Sequence, residues 1–266
     1  MKIVDQPKVY LVGKTDIVSE GMEEYLADIG GPDWFVEPRV SGGENLIEAA
    51  GRMCYRSWQP WDPNKPECSN PNVTKVREGN NKYMANIIKS GHGAVLEHVN
   101  LTFIIRDCSR VFTHELVRHR AGMAYSQESL RYVRLSDIRF WLPELVKEKP
   151  KAVDFFKEVL PTLENIQATL FGIFQIDRIK DFSTKKMLTS MFRRLAPIGL
   201  ATSIMVTGNL RAWRHIIKMR TETVAEEEIR LIIGQVAQIC KDTYPHVFYD
   251  MHKNEAEEWV FEYEKV

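Results

Sequence analysis

The sequence predicts one α/β (α+β) domain, a mixed sheet flanked by helices. Three observations carry that expectation. Two β-branched apolar runs have strand character, several stretches repeat their apolar residues at helical spacing, and no flexible linker interrupts the 266 residues. That length suits one large domain or two small ones. With no internal repeat or low-complexity tract, a single domain over 1–266 is the simplest organisation.

The first forty residues mix short apolar runs (VYLVG, DWFVEP) with turn residues, and IGGPDW and SGGEN are breaks. From Glu44 the pattern turns helical, with Leu46, Ile47, Ala50 and Met53 on one face and Ser41 or Gly43 near the start. Residues 57–81, rich in Pro and Asn, read as a long surface loop that either closes over a site or covers a neighbouring subunit. VNLTFII reads as a strand, and SRVFTHELVRHRAG as a helix capped by Ser109 and stopped at Gly122. From Pro143 to Phe182 the chain is helical, with Val153, Phe156, Val159, Leu160 and Leu163 on one stripe. APIGLATSIMVTGNL reads as a buried strand ending at Gly208. Two helices follow, LRAWRHIIKMR and TVAEEEIRLIIGQVAQICKDTY, the second acidic in its first turn as the helix dipole favours.

Composition excludes several classes. The 36 Lys and Arg residues balance 36 Asp and Glu, which argues against nonspecific nucleic-acid binding and weakens an RNA-binding reading of the basic segments. An apolar share of 44% excludes compositional disorder. No apolar run is long enough to span a membrane, and MKIVDQPKVYLVGKTD lacks the pattern of a signal peptide. Cys54, Cys68, Cys108 and Cys240 are scattered, with no CxxC pair and no zinc spacing. They are expected to be reduced thiols in a cytoplasmic protein.

Polar chemistry concentrates in RHRAGMAYSQESLRYVR, residues 118–134. Its cations are all arginine apart from His119, the side chain suited to bidentate grip of phosphate or carboxylate. Ser126, Gln127, Ser129 and Tyr132 add donors and acceptors for a heterocycle edge. The competing reading is a helix end and loop held by ion pairs. A second group is Asn209, Arg211, Arg214, His215, Lys218 and Arg220, where Arg211, His215 and Lys218 share one helix face opposite Leu210, Trp213, Ile216 and Ile217. Alone, that pattern fits an ordinary amphipathic helix. In GHGAVLEH, His92, Glu97 and His98 do not have the spacing of a zinc helix, and no metal is expected. GxGxxG, GxxxxGK[ST] and GxSxG are all missing, so arginines must hold any nucleotide phosphate. The residues alone suggest a cytosolic enzyme gripping an anionic, phosphorylated heterocycle.

In order, EH…TF…SR…RHR, a gap, Ser129, RY and NLRAW…R resemble the flavin-dependent thymidylate synthases, from about Ala49 to Ile233. Residues 136–190 match only as a helical insert. Eight residues separate Arg120 from Ser129, one more than is usual there, and Gly122 would let the loop bulge. The resemblance implies a homotetramer with active sites at subunit interfaces. It also implies FAD, NADPH and methylenetetrahydrofolate, and conversion of dUMP to dTMP. Carried over, Arg118, His119 and Arg120 border the flavin, with Arg118 reaching toward dUMP. His92 lies by the flavin ring, Glu97 in the cofactor-binding stretch, and Asn209, Arg211 and His215 face the flavin. Ser129, Arg131, Gln127 and Arg193 hold dUMP, and Arg220 sits against the uracil. Arg220 and Ser129 are the candidate catalytic residues, Ser129 as a nucleotide contact. Cys54 has a packing role. Three departures, Glu115 for a frequent Gln, His215 for Asn and Val224 for His, leave room for a pyrimidine nucleotide hydroxymethylase. A catalytically silent nucleotide- or flavin-binding oligomer is the other alternative.

Overall fold

A computed structural model describes residues 2–130 and 139–266. In chain order it contains β1 (Lys2–Val4), β2 (Lys8–Lys14), α1 (Ser19–Asp28), α2 (Gly42–Tyr55) and α3 (Asn80–Lys89), then a 3-10 turn Gly93–His98. β3 (Asn100–Ser109), α4 (Arg110–Leu116), β4 (Met123–Gln127) and β5 (Arg139–Trp141) follow. The helical segment is α5 (Glu144–Lys147), α6 (Pro150–Ile173) and α7 (Phe182–Phe192). The chain ends with β6 (Ala201–Asn209), α8 (Leu210–Arg220), α9 (Glu227–Thr243), β7 (Met251–Lys253) and β8 (Trp259–Phe261).

The α/β class is as expected. The central sheet has the order β2-β3-β6-β4 and its pairs are antiparallel, while among the described residues parallel pairing is confined to β1 with β5. β3 alternates as a half-buried strand should. Leu101, Phe103 and Ile105 face a core completed by Trp213, Ile216 and Ile217 of α8 and by Ile229, Ile232 and Val236 of α9. Trp213 meets Phe103 edge to face, centroids 5.1 Å apart. This fixes α8 across the sheet and thereby aims its polar face. The α6–α7 segment keeps small cores of its own, one around Phe140, Leu160 and Leu200, another around Ile176, Leu188 and Phe192.

The helix starts expected at Ser41 and Ser109 carry cap chemistry, and Asn209, not assigned that role from sequence, caps α8 in the same way. Ser41 Oγ accepts from Glu44 N at 3.2 Å, Ser109 Oγ from Phe112 N at 3.2 Å, and Asn209 Oδ1 from Ala212 N at 2.8 Å. One boundary is corrected. The helix from Ser109 ends at Leu116 rather than at Gly122. Arg118 N and His119 N bond three residues back, to Glu115 O and Leu116 O, and Tyr125 Oη reaches the carbonyls of Leu116 and His119. Arg118–Gly122 is therefore a pinned turn between α4 and β4. The strand expected to begin at APIG starts at Ala201, because 193–200 close turns through Ala196 N–Arg193 O and Leu200 N–Pro197 O. Residues 57–79 form an irregular loop running into α3, as the composition indicated. No helix among the described residues is long and apolar enough to cross a membrane.

Candidate active site

The pinned turn, the start of α8 and the 3-10 turn Gly93–His98 enclose a cleft of about 580 Å³. Glu97, Arg118, His119, Arg120, Asn209, Arg211 and His215 all line it, with Ile216 and Val266. Seven of the eight side chains expected at the cofactor thus share one concavity. Its size falls in the range of small-molecule sites. Two glycines let the walls close. Gly122 has φ +70°, and a Cβ there would run into the Asn209 amide; a Cβ on Gly93 would meet the Arg211 guanidinium and Val266. Gly93 and Val266 were missed at sequence level. GHG hinted at the first, and no pattern around Val266 points to a site.

The cleft is rich in cations. Arg211 Nη1 pairs with Glu97 Oε1 at 2.7 Å, both side chains about half exposed, a contact solvent weakens and a phosphate would replace. Among the described residues no carboxylate pairs with Arg118 or Arg120. His119 and His215 meet edge on, 5.9 Å between ring centroids. Burial, then the positive charge of Arg220, then His215, push the His119 imidazolium down to about 4. His119 is neutral at physiological pH.

At the end of α8, Arg220 Nε donates to His119 Nε2 at 2.8 Å and Nη1 to Glu115 Oε2 at 3.1 Å. An imidazole that accepts at Nε2 carries its proton on Nδ1. Glu115, read from sequence as a departure near the substrate, is here the ion partner of Arg220. The other members of the second sequence group divide. Arg214 is buried and spent, its two Nη atoms each 2.8 Å from an Asp250 oxygen with the guanidinium over the Phe261 ring. Lys218 pairs with Glu264 at 2.9 Å.

The expected dUMP contacts do not all fall in this cleft. Along β4, Met123 pairs with Gly208 at the cleft end, and Gln127 pairs with Ile204 four residues on, roughly 14 Å at the rise of a strand. Gln127 Nε2 donates to Thr113 Oγ1 at 3.1 Å, and Glu128 O accepts from Arg110 Nη2 at 3.1 Å. Arg193 belongs to this end, since its charge is felt at Arg110. Ser129 follows directly, and Arg131 lies outside the described residues. His92 is also apart. It lines another cleft and stacks with Tyr55 at 5.7 Å. Val224 stands exposed on the turn after α8. Among the described residues no group of three His, Cys, Asp or Glu is placed to hold a metal ion.

Residues 38–246 match the family profile described as thymidylate synthase complementing protein. The chain is 35% identical over 251 residues to a flavin-dependent thymidylate synthase of Mycobacteroides abscessus, covering 91% of this chain and 89% of that one. It is 36% identical over 214 residues to the enzyme of that name from Mycolicibacterium vanbaalenii, covering 79% and 80%. With the one from Corynebacterium diphtheriae it shares 34% over 223 residues, 83% of each chain.

Proposed function

The chain belongs to the flavin-dependent thymidylate synthase family, and from that premise we propose which of its residues carry out the conversion of dUMP to dTMP. The reaction uses methylenetetrahydrofolate as carbon donor, with FAD and NADPH as the redox pair. The carrying observation is the convergence of 97, 118–122 and 209–216 on one cation-rich cleft beside the fixed Arg220. Its residues fit a flavin nucleotide. Arg118, Arg120 and Arg211 suit the phosphates, and Asn209, His119 and His215 offer neutral edges to a ring. Bound FAD supplies the hydride, with electrons from NADPH, that reduces the transferred one-carbon unit to a methyl group.

The chain's own residues supply position and charge. For C5 of uracil to attack the one-carbon unit, electron density must first be pushed into the ring, where it gathers as negative charge on the ring oxygens; the new bond at C5 then draws it off, and the C5 proton leaves. A guanidinium has five N–H donors; Arg220 spends one on His119 and one on Glu115, so three remain for the pyrimidine. Because its orientation is set beforehand, little reorganisation accompanies the developing charge. Arg118 reaches from the flavin side toward the same nucleotide. No cysteine nucleophile is needed: Cys68, Cys108 and Cys240 are buried, and burial raises each of their thiols above the usual range, while Cys54, exposed rather than packed as expected, lines a different cleft from Arg118 and His119.

Gln127, Ser129, Arg131 and Arg193 form the dUMP phosphate end, and a second copy of the chain brings it to the cleft. The strand register supports this, since Gln127 sits at the end of β4 far from the cleft and Ser129 follows it. So do the apolar side chains Met187, Met191, Leu195 and Ile198, exposed beside Arg193. We read the assembly as a homotetramer of single-domain subunits, to be checked by light scattering. The unpaired thiols favour the cytoplasm.

The test is tritium release from C5-labelled dUMP by protein reconstituted with FAD, dependent on NADPH and methylenetetrahydrofolate. Release with dTMP as product is expected. A 5-hydroxymethyl product would mean the hydroxymethylase, and a yellow protein giving no release would leave only a silent flavin-binding oligomer.

A further inference from the structure

We propose that a second cleft, between the 57–79 loop and helices α2 and α3, seats the anionic end of a co-substrate whose ring stacks at Tyr55 and His92. The cleft is about 690 Å³. Arg56, Lys75 and Arg77 line it, with Asn86 among the neutral donors, and no Asp or Glu is among its lining residues. With Arg52, the fourth cation of the lining, paired to Glu48, three cations without a lining acid make a site for an anion. At its wall the Tyr55 and His92 rings lie 24° from parallel, a platform for a flat heterocycle.

The cleft is held open by its own structure. Arg52, buried in α2, donates from Nη1 to Ser57 O and from Nη2 to Arg77 O, both at 2.7 Å, tying the two ends of the loop with one guanidinium. Its Nε is neutralised by Glu48 at 2.8 Å, and it lies over the Tyr83 ring. Asn70 Nδ2 bonds Tyr55 O across the loop. Arg56 is held in the left-handed region, φ 44°, where it closes α2 and turns into the cleft wall. This scaffolding leaves Lys75 and Arg77 exposed and without an ion pair among the described residues.

Position relates the cleft to the reaction. His92 is the N-cap of the 3-10 turn Gly93–His98, whose Glu97 lines the flavin cleft. A ligand with its ring at His92 and its charged end on Lys75 and Arg77 therefore adjoins that cleft. This rests on the reading above, whose two co-substrates both join a flat heterocycle to anionic groups. NADPH carries phosphates and the reduced folate carries glutamyl carboxylates.

The experiment compares wild type with a Lys75→Gln, Arg77→Gln variant, both loaded with FAD. Calorimetry measures binding of NADP+, NAD+, and tetrahydrofolate with one or five glutamates. Both side chains are exposed, and Arg52 holds only the carbonyl of Arg77, so the loop stays tied. Loss of charge-assisted contacts is expected to weaken at least one ligand about tenfold or more. A loss for NADP+ but not NAD+ assigns the cleft to the 2′-phosphate. Loss of the five-glutamate advantage assigns it to the folate tail. Affinities all within twofold of wild type overturn the proposal, and Lys75→Arg, Arg77→Lys must restore binding. Turnover of dUMP is measured separately, so a silent wild type defeats the catalytic reading without touching the binding result.

Discussion

Replacing Arg220 by lysine keeps the charge and removes the fork. The wild-type guanidinium is held at two atoms, Nε by His119 at 2.8 Å and Nη1 by Glu115 at 3.1 Å, with its side chain 22% exposed. A single ammonium cannot satisfy both partners and still face a ring between them. The lost orientation is comparable to removing one preorganised donor from a developing oxyanion, so kcat is expected to fall by about 10²–10³. dUMP binding loses one charge-assisted bond, about 1.5–3 kcal/mol, or roughly ten- to a hundredfold. Tritium release gives kcat, and the flavin absorbance change on adding dUMP gives affinity. Arg220→Gln adds a second readout. With the cation gone, His119 should titrate above its present value of about 4 when followed by NMR, although burial, the larger cause, remains. A lysine variant with kcat within threefold of wild type, or one changed only in KM, would refute the electrostatic role.

Gly122→Ala puts a Cβ at φ +70° and into the Asn209 amide. It should cost about 1–3 kcal/mol of stability by denaturant unfolding and lower FAD content. Ser129→Ala should weaken dUMP binding by about 1 kcal/mol, one hydrogen bond, while leaving measurable turnover; complete loss would mean more than a binding contact. Glu228 predicts a pH dependence of stability. Its carboxyl, buried against Ser109 N and Oγ, is pushed from 4.5 up to about 7, mainly by burial. The folded state then binds the proton more tightly, so this contribution is fully present below 4.5 and is lost as pH rises through 7. Thermal melts should show Glu228→Gln flattening that slope, by about 3 kcal/mol across the window; an unchanged profile would exclude Glu228 as its source.

What was legible in the sequence was mostly local. Ser41 and Ser109 announce helix starts because a cap and the N–H it accepts from lie three residues apart. Arg211 and His215 were placed on one face by helical spacing alone, and both line the cleft. Longer-range facts were not legible. Arg214 belongs to the same polar run, yet its partner Asp250 lies beyond α9, so nothing nearby marks it as buried. The helical pattern continues into RHR, but backbone bonds three residues back and Tyr125 folding back from β4 hold those residues in a turn. Composition identified the 57–79 loop, but not the single guanidinium from α2 that ties its ends.

Arg214 and Arg220 show why residue type alone does not locate chemistry. Asp250 and the Val247 carbonyl take up the donors of Arg214 and the Phe261 ring covers its face, which leaves it a structural bolt between α8 and the C-terminal hairpin. Arg220 has two anchored donors and others unspent. Its neighbour His119 makes the arrangement reciprocal. The guanidinium charge helps keep the imidazole neutral, and only a neutral imidazole can accept from Arg220 Nε. If His119 became cationic, it would repel the group it now orients. Turnover that depends on a correctly aimed Arg220 should therefore weaken as pH falls toward 4, where His119 takes up its proton. Activity that held steady through that range, in protein shown to remain folded, would break the link between the two side chains.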